Sequence, residues 1–172
     1  MLKVFYRVLS TIALLGLIAV PPARATTSQN PDFSLRSVDG PAVTADSLRG
    51  EVVVLGFGAS WLPLTRGHME ALKKLADQYA GRGVALYWVS TESDSPKSKN
   101  FADDNQLREL GRRYKLTVLR DPDGAALKRL GADQIPATII LNKQGQAVAN
   151  ISGLEPDVSK QLAEQLDKII KS

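Results

Sequence analysis

The chain has 172 residues, of which 44% are hydrophobic and 23% are charged, and it contains no cysteine and one histidine, His68. This composition is typical of a single globular domain, and it excludes disulfides, thiolate metal sites and catalysis by a thiol of the chain. The formal net charge is +4, but Lys3, Arg7 and Arg24 lie in residues 1–25, which contain no acid. The rest is therefore close to neutral, and we expect no nucleic acid as a partner.

Residues 1–25 have the pattern of a cleavable secretory signal peptide. A basic start precedes an apolar run over residues 8–20, which leads to Pro21-Pro22 and the small-residue triplet Ala23-Arg24-Ala25. We expect cleavage after Ala25, export to the periplasm, and a single domain over residues 26–172 without a stable membrane anchor. The alternative, a membrane-spanning helix, would need about 20 mainly apolar residues, which this run does not provide.

The first elements after this segment form a strand-helix-strand unit. Residues 51–57 are an almost unbroken apolar run, which is typical of a central strand covered on both faces. Residues 63–80 then repeat apolar residues at three- and four-residue steps, which predicts a helix whose first turn contains Pro63. A second strand over residues 84–90 follows, and such a crossover favours parallel pairing of the two strands.

Shorter elements alternate in the second half of the chain. The patterns predict helices over residues 100–114 and 124–130 and strands over residues 117–120, 137–141 and 146–151, with a hairpin-type connection between the last two strands. A final helix is predicted from near Pro156, with one apolar face formed by Val158, Leu162, Leu166, Ile169 and Ile170. Together these elements indicate one α/β domain without internal repeats.

Several short motifs occur in the order in which thioredoxin-like proteins have them. They are Pro31-Asp-Phe33, Asp39-Gly40, Leu48-Arg49-Gly50, Ala59-Ser60-Trp61, Ile135-Pro136-Ala-Thr138 and Gly145. On these motifs the chain resembles the exported thiol-disulfide oxidoreductases of the TlpA/ResA (redoxin) type over about residues 30–171. The resemblance implies a thioredoxin-like fold, with a central mixed β-sheet flanked by helices on both faces.

Both cysteines of the motif that this resemblance implies are replaced. The family pattern Trp-Cys-x-x-Cys-Arg corresponds to Trp61-Leu62-Pro63-Leu64-Thr65-Arg66. Leu62 stands at the position of the attacking cysteine, and a leucine can neither ionise nor attack. Residues 59–65 are also similar to the glutathione peroxidase pattern Ala-Ser-x-Cys-Gly-x-Thr, and there too the attacking residue aligns with Leu62. We therefore expect no redox reaction on the residues of this chain.

Two other kinds of chemistry stay open. Thr65 and His68 are three residues apart and share a helix face, so a hydroxyl nucleophile with an imidazole base is conceivable. The simpler interpretation is that Thr65 helps to cap the helix and that His68 lies on its solvated side. A copper site at His68 and Met69 is disfavoured, because adjacent helical residues point about 100° apart and thiolate ligands are lacking. We expect no metal and no cofactor.

Other features of the family motif persist. Ile135-Pro136 matches the cis-proline segment, in which the residue before proline offers backbone hydrogen bonds to an extended substrate. Glu92 resembles an acid that some ResA-like members place near their cysteines, and without a thiol we interpret it as a loop carboxylate. An apolar rim is expected at the former active-site corner, formed by Trp61, Leu62, Leu64, Ile135 and Pro136.

The favoured functional hypothesis is a redox-inactive thioredoxin-fold module that binds a protein or peptide segment. Its expected binding residues are Trp61, Leu62, Leu64, Thr65, Ile135 and Pro136, with Glu92 as a former active-site acid. The alternative is an oxidoreductase or peroxidase relative whose chemistry has decayed or runs without a thiol, at Thr65, His68 or Glu92. The sequence makes no prediction of the oligomeric state.

Overall fold

The computed structural model describes residues 31–153 and 158–171, so the predicted signal peptide and Pro156 lie outside the described residues. The elements in chain order are β1 (Ser34–Ser37), β2 (Val43–Thr44), a 3-10 turn (Asp46–Leu48), β3 (Val52–Gly58), α1 (Thr65–Gln78), β4 (Val84–Ser90), α2 (Asp104–Tyr114), β5 (Thr117–Arg120), α3 (Ala125–Arg129), β6 (Ala137–Leu141), β7 (Ala147–Ser152) and α4 (Val158–Lys171). Within the described ranges, no helix combines the length and the apolar composition needed to cross a membrane.

The strands form one mixed sheet in the order β2-β1-β5-β4-β3-β6-β7. β3 lies in its interior and all seven of its residues are buried, which confirms the central strand predicted from the apolar run. β3 pairs parallel with β4, and β4 pairs parallel with β5, whereas β6 runs antiparallel to β3. The predicted parallel strand-helix-strand unit is therefore confirmed.

Alternate residues of β3 pack into two separate cores, one on each face of the sheet. Val53, Leu55 and Phe57 join a cluster that includes apolar residues of α3. Val52 and Val54 join a second cluster with apolar residues of α1, α2 and α4. Since successive side chains of a strand point to opposite faces, a strand buried over its whole length needs helices on both sides. The predicted arrangement of helices on both faces is confirmed.

Two helices begin later than the periodicity predicts. Residues 59–65 form turns in which the Leu62 N–H bonds to the Ala59 carbonyl at 3.1 Å and the Thr65 N–H bonds to the Leu62 carbonyl at 3.0 Å. α1 therefore starts at Thr65, and Pro63 lies in the turn before it. α2 starts at Asp104 because Asp103 forms a capping box with Gln106, which fixes the first turn.

The carboxyl ends of the parallel strands meet at one edge of the sheet. The Thr91 N–H bonds to the carbonyl of Gly58 at 2.9 Å, and the Asp121 N–H bonds to the carbonyl of Ser90 at 2.8 Å. The connections that follow β3, β4 and β5 therefore gather at this edge. In open α/β sheets this is the edge at which ligands bind.

Candidate functional site

The turn after β3 lies beside the segment that leads into β6. Antiparallel pairing places Phe57 opposite Ala137, so the end of β3 and the start of β6 are neighbours. The Ile135–Pro136 peptide bond, just before β6, is cis. Sheet pairing thus brings residues 59–65 and the segment at Ile135 together, as the resemblance implies.

Exposed apolar side chains mark this corner. Trp61 is 61% exposed and Leu64 is 48% exposed. Leu62 and Ile135 are half-buried. These four residues are called the corner surface below. Large exposed apolar side chains close together on a globular protein are typical of contact sites.

A hydrogen bond fixes the orientation of the Trp61 ring. Its indole Nε1 donates to Oδ1 of Asn100 at 2.6 Å, and Asn100 belongs to the connection between β4 and α2. The neighbouring Phe101 is 36% exposed. Sequence reasoning missed Asn100 and Phe101, because the contact joins segments almost forty residues apart and the local sequence carries no signal for it.

The backbone of Ile135 is available for pairing. Within residues 31–153 and 158–171, neither its N–H nor its carbonyl has a hydrogen-bond partner. The next carbonyl, that of Pro136, accepts from the Gly153 N–H at 2.8 Å, and the Pro136 side chain is buried. The sequence predicted Pro136 in an exposed apolar rim, and this part of the prediction is wrong. The buried proline lies beneath the corner surface.

Thr65 is also a supporting residue. Its side chain is only 4% exposed, and its hydroxyl donates to the carbonyl of Ala59. The N-cap of α1 is Leu64, which makes no side-chain capping bond. The prediction that Thr65 caps the helix is wrong, because its hydroxyl closes the preceding turn. It can contribute to binding only by holding that turn in place.

His68 lies in the core, so its predicted position on the solvated side is wrong. The imidazole is 1% exposed, and its Nε2 is hydrogen-bonded with the Thr138 hydroxyl at 2.9 Å. A Cβ at Gly56 would clash with the Leu72 side chain and come within 3.2 Å of the imidazole, so the glycine makes room for both side chains. Burial lowers the pKa of His68 from 6.5 to about 4, which keeps the ring neutral at ordinary pH.

The structure does not support the two catalytic alternatives that involve His68. The Thr65 hydroxyl and the His68 imidazole are each hydrogen-bonded to other groups and not to each other. Met69 is fully buried in the core. Among the described residues there is no group of three or more His, Cys, Asp or Glu side chains that could hold a metal ion.

Glu92 is buried directly beneath the corner, and its interpretation as an ordinary loop carboxylate needs correction. It is 1% exposed, and its oxygens accept from the Ser60 N–H at 2.9 Å, the Ser60 hydroxyl at 2.7 Å and the Ser90 hydroxyl at 3.0 Å. A buried carboxylate is tolerated only with such partners. Glu92 therefore ties the turn after β3 to the end of β4.

An ionic network extends from Glu92 away from the corner. Arg120 is 2% exposed, and it donates to the Glu92 carbonyl at 3.2 Å and to Oδ1 of Asp104 at 2.6 Å. Arg36 binds the same carboxylate with two hydrogen bonds of 2.7 and 2.9 Å. Hydrogen bonds from Arg36 and then Arg120 hold the pKa of Asp104 well below its usual range. Two adjoining cavities of about 380 and 280 Å³ are lined in part by Arg36 and Arg120 and do not include the corner surface.

Comparison with known proteins places this chain among redoxins. The AhpC/TSA family model matches residues 26–149. The thiol-disulfide oxidoreductase ResA of Bacillus thuringiensis is 24% identical over 139 residues, which covers 81% of this chain and 75% of ResA. The thioredoxin-like protein YneN of Bacillus subtilis is 32% identical over 123 residues, covering 68% of this chain and 65% of YneN.

The fold agrees with these similarities. The exposed lipoprotein thioredoxin of Streptococcus pneumoniae superimposes with a TM-score of 0.63 at 25% identity, covering 80% of this chain and 98% of that one. The fold is therefore thioredoxin-like, as the ordered motifs indicate. Several of these relatives are named for thiol and disulfide chemistry, and this chain has no cysteine.

Proposed function

The chain belongs to the AhpC/TSA family, and we propose that it is a member without redox chemistry of its own that binds an extended protein or peptide segment at the corner surface. Thiol-disulfide exchange needs an attacking thiolate, and the chain has no cysteine. The observation that carries the proposal is the proximity of exposed Trp61 and Leu64 to Ile135, whose backbone N–H and carbonyl are unpaired.

The two kinds of group suit an extended segment. Such a segment can pair with the N–H and carbonyl of Ile135, as a strand added alongside would, while its side chains contact Trp61 and Leu64. Fully burying a leucine-sized side chain contributes roughly 1.5–3 kcal/mol. After the costs of association are subtracted, two or three such contacts correspond to an affinity of about micromolar strength.

The corner is held in place before a segment binds. Glu92 fixes Ser60 from below, and Asn100 fixes the indole of Trp61 from the side. A surface that is already ordered loses less conformational entropy when it binds. The polar network beneath the corner therefore supports binding even though it performs no reaction.

We also propose that the protein works outside the cytoplasm, in a periplasm. The pattern of residues 1–25 supports export, as does the similarity to a lipoprotein described as exposed. The proposed binding function does not depend on this location.

A charge in the corner surface should weaken binding. In a screen of immobilised extended peptides against the purified protein, we expect Leu64→Asp to weaken capture by tenfold or more, about 1.4 kcal/mol. Val148→Asp is the matched control, because Val148 is 44% exposed on β7 at the edge of the sheet.

Two results would contradict the proposal. Equal capture by the two variants would show that the corner surface is not the binding site. Reduction of insulin disulfides by the purified protein would show that redox chemistry persists. Catalysis without a thiol at Thr65, His68 or Glu92 has less support, since all three side chains are buried and hydrogen-bonded to neighbours.

A further inference from the structure

The charges around the corner surface point to the kind of segment it accepts. We propose, on the premise that the corner surface binds an extended segment, that this segment has an apolar centre with an acidic residue at one end and a basic residue at the other. The inference rests on charges of opposite sign that lie on the two sides of the corner surface and have no partners among the described residues.

The cationic side is the connection between β4 and α2. Lys97 and Lys99 are exposed there, and neither has a hydrogen bond or an ion pair within the described parts of the chain. Asn100 holds this connection against the corner through Trp61, and the Ser93 N–H bonds to the Asn100 carbonyl at 2.6 Å. The acids of the same connection have other surroundings: Glu92 accepts hydrogen bonds from Ser60 and Ser90, Asp94 lies with Arg36 in the lining of a cavity, and Asp103 caps α2. The two ammonium groups are thus not neutralised locally.

The anionic side is the segment before β6. Asp133 is exposed two residues before Ile135, and no ion pair or hydrogen bond of Asp133 exists within residues 31–153 and 158–171. Between the two sides the surface is electrically balanced, because Arg66 at the start of α1 pairs with Glu70 at 3.0 Å. The corner surface is therefore apolar, and side chains of opposite charge flank it on its two sides.

The sheet order sets the spacing of these charges. β4 and β6 are the two neighbours of β3, so these two strands are two inter-strand distances apart, roughly 10 Å, and the two charged segments extend from them on opposite sides of the turn after β3. An extended chain rises about 3.3 Å per residue, which places the acidic and the basic residue of a bound segment about three to five positions apart. A segment with charges of one sign would pair with one side and be repelled by the other.

Peptides of one composition and opposite charge order test this inference. The probes are acetylated, amidated peptides with the core Glu-Val-Ala-Val-Lys, the reversed core Lys-Val-Ala-Val-Glu, and a neutral core with Gln at both ends. Binding is measured by anisotropy of a labelled peptide and by the fluorescence of exposed Trp61, since Trp88 is buried. We expect one charged order to bind about tenfold tighter than the other at about 0.01 M ionic strength, and the difference to shrink at about 1 M.

Charge-reversal variants identify the residues responsible. Lys97→Glu with Lys99→Glu should remove the preference for the favoured order, and so should Asp133→Lys alone. All three substitutions together should reverse the preference. Lys74→Glu with Lys168→Glu is the matched control: both lysines are exposed on helices, Lys168 lies next to Asp167 beside the C-terminal end of α1, and the preference should stay unchanged.

The outcomes separate this inference from the proposed function. Equal binding of all three peptides, lost in Leu64→Asp, would overturn the inference and leave the corner surface as a binding site. A preference for one order that survives the charge reversals would also overturn it. If none of the peptides binds, both the inference and the proposed function fail.

Discussion

We expect the protonation of His68 to lower the free energy of unfolding as the pH falls from about 6.5 to about 4. The buried imidazole has its pKa lowered from 6.5 to about 4 in the folded chain, whereas in the unfolded chain it keeps its ordinary value. On acidification the unfolded state therefore binds a proton before the folded state does, and folding becomes less favourable. The loss should reach about 1.4 kcal/mol per pH unit and total about 3 kcal/mol, and it should stop growing once the folded state is also protonated.

Urea unfolding across this pH range measures the effect, and the composition makes it assignable. His68 is the only histidine in the chain. The control is His68→Gln, whose amide does not titrate and can still hydrogen-bond with Thr138. It should lower the stability at neutral pH but remove the decline between the two values. Asp104 acts at lower pH, since its lowered pKa makes stability fall only when the carboxylate protonates below its ordinary value of 3.8. Equal declines in the native chain and in His68→Gln would refute the reasoning.

Three further sets of substitutions test other parts of the structure. Leu62→Cys with Thr65→Cys should form an internal disulfide, because the turn closed by the Thr65 N–H brings the two Cα atoms within about 7 Å. Thiol alkylation and mass spectrometry detect the disulfide. A pair that stays reduced under oxidising conditions would show that the turn geometry is unsuitable. Glu92→Gln should lower the free energy of unfolding, measured in urea, by about 1–3 kcal/mol, because the amide oxygen cannot accept all the hydrogen bonds that the carboxylate accepts. Its control, Glu70→Gln on the exposed face of α1, should lower it by less than about 0.5 kcal/mol. Gly111→Ala should destabilise the fold by about 1 kcal/mol or more although Gly111 lies in a helix, because the new Cβ would be 2.7 Å from the Leu116 carbonyl oxygen. Its control, Gly67→Ala on the exposed side of α1, should stabilise the fold by up to about 1 kcal/mol. Equal effects of the two glutamate variants, or of the two glycine variants, would contradict the reasoning for that pair.

The central elements could be predicted because their patterns are long and uniform. The apolar run that becomes β3 and the strand over residues 84–90 agree with the structure to within a residue, and the ordered motifs identify the fold. β1 and β2 were not predicted as strands, because four and two residues are too few to show a period. The place of β1 is set by its pairing with β5 and that of β2 by its pairing with β1, and the local sequence encodes neither.

At the candidate site, sequence reasoning succeeded with backbone position and failed with side-chain environment. His68 lies four residues before Leu72 and seven before Leu75, on the buried face of α1, so the helical spacing carried the correct signal. The polarity of histidine obscured it. For Glu92 there was no such signal, since its burial depends on Ser60 and Ser90 meeting it in three dimensions.

The place of β1 in the sheet has a consequence for the order in which the chain can assemble. β1 pairs with β2 nearby, but its other neighbour is β5, which is made only after β3, α1, β4 and α2. While the polypeptide emerges from the ribosome, β1 therefore cannot join the central sheet until β5 has been synthesised. The domain can therefore be completed only late in synthesis, and until then the N-terminal part of the domain remains unfolded and could still be translocated.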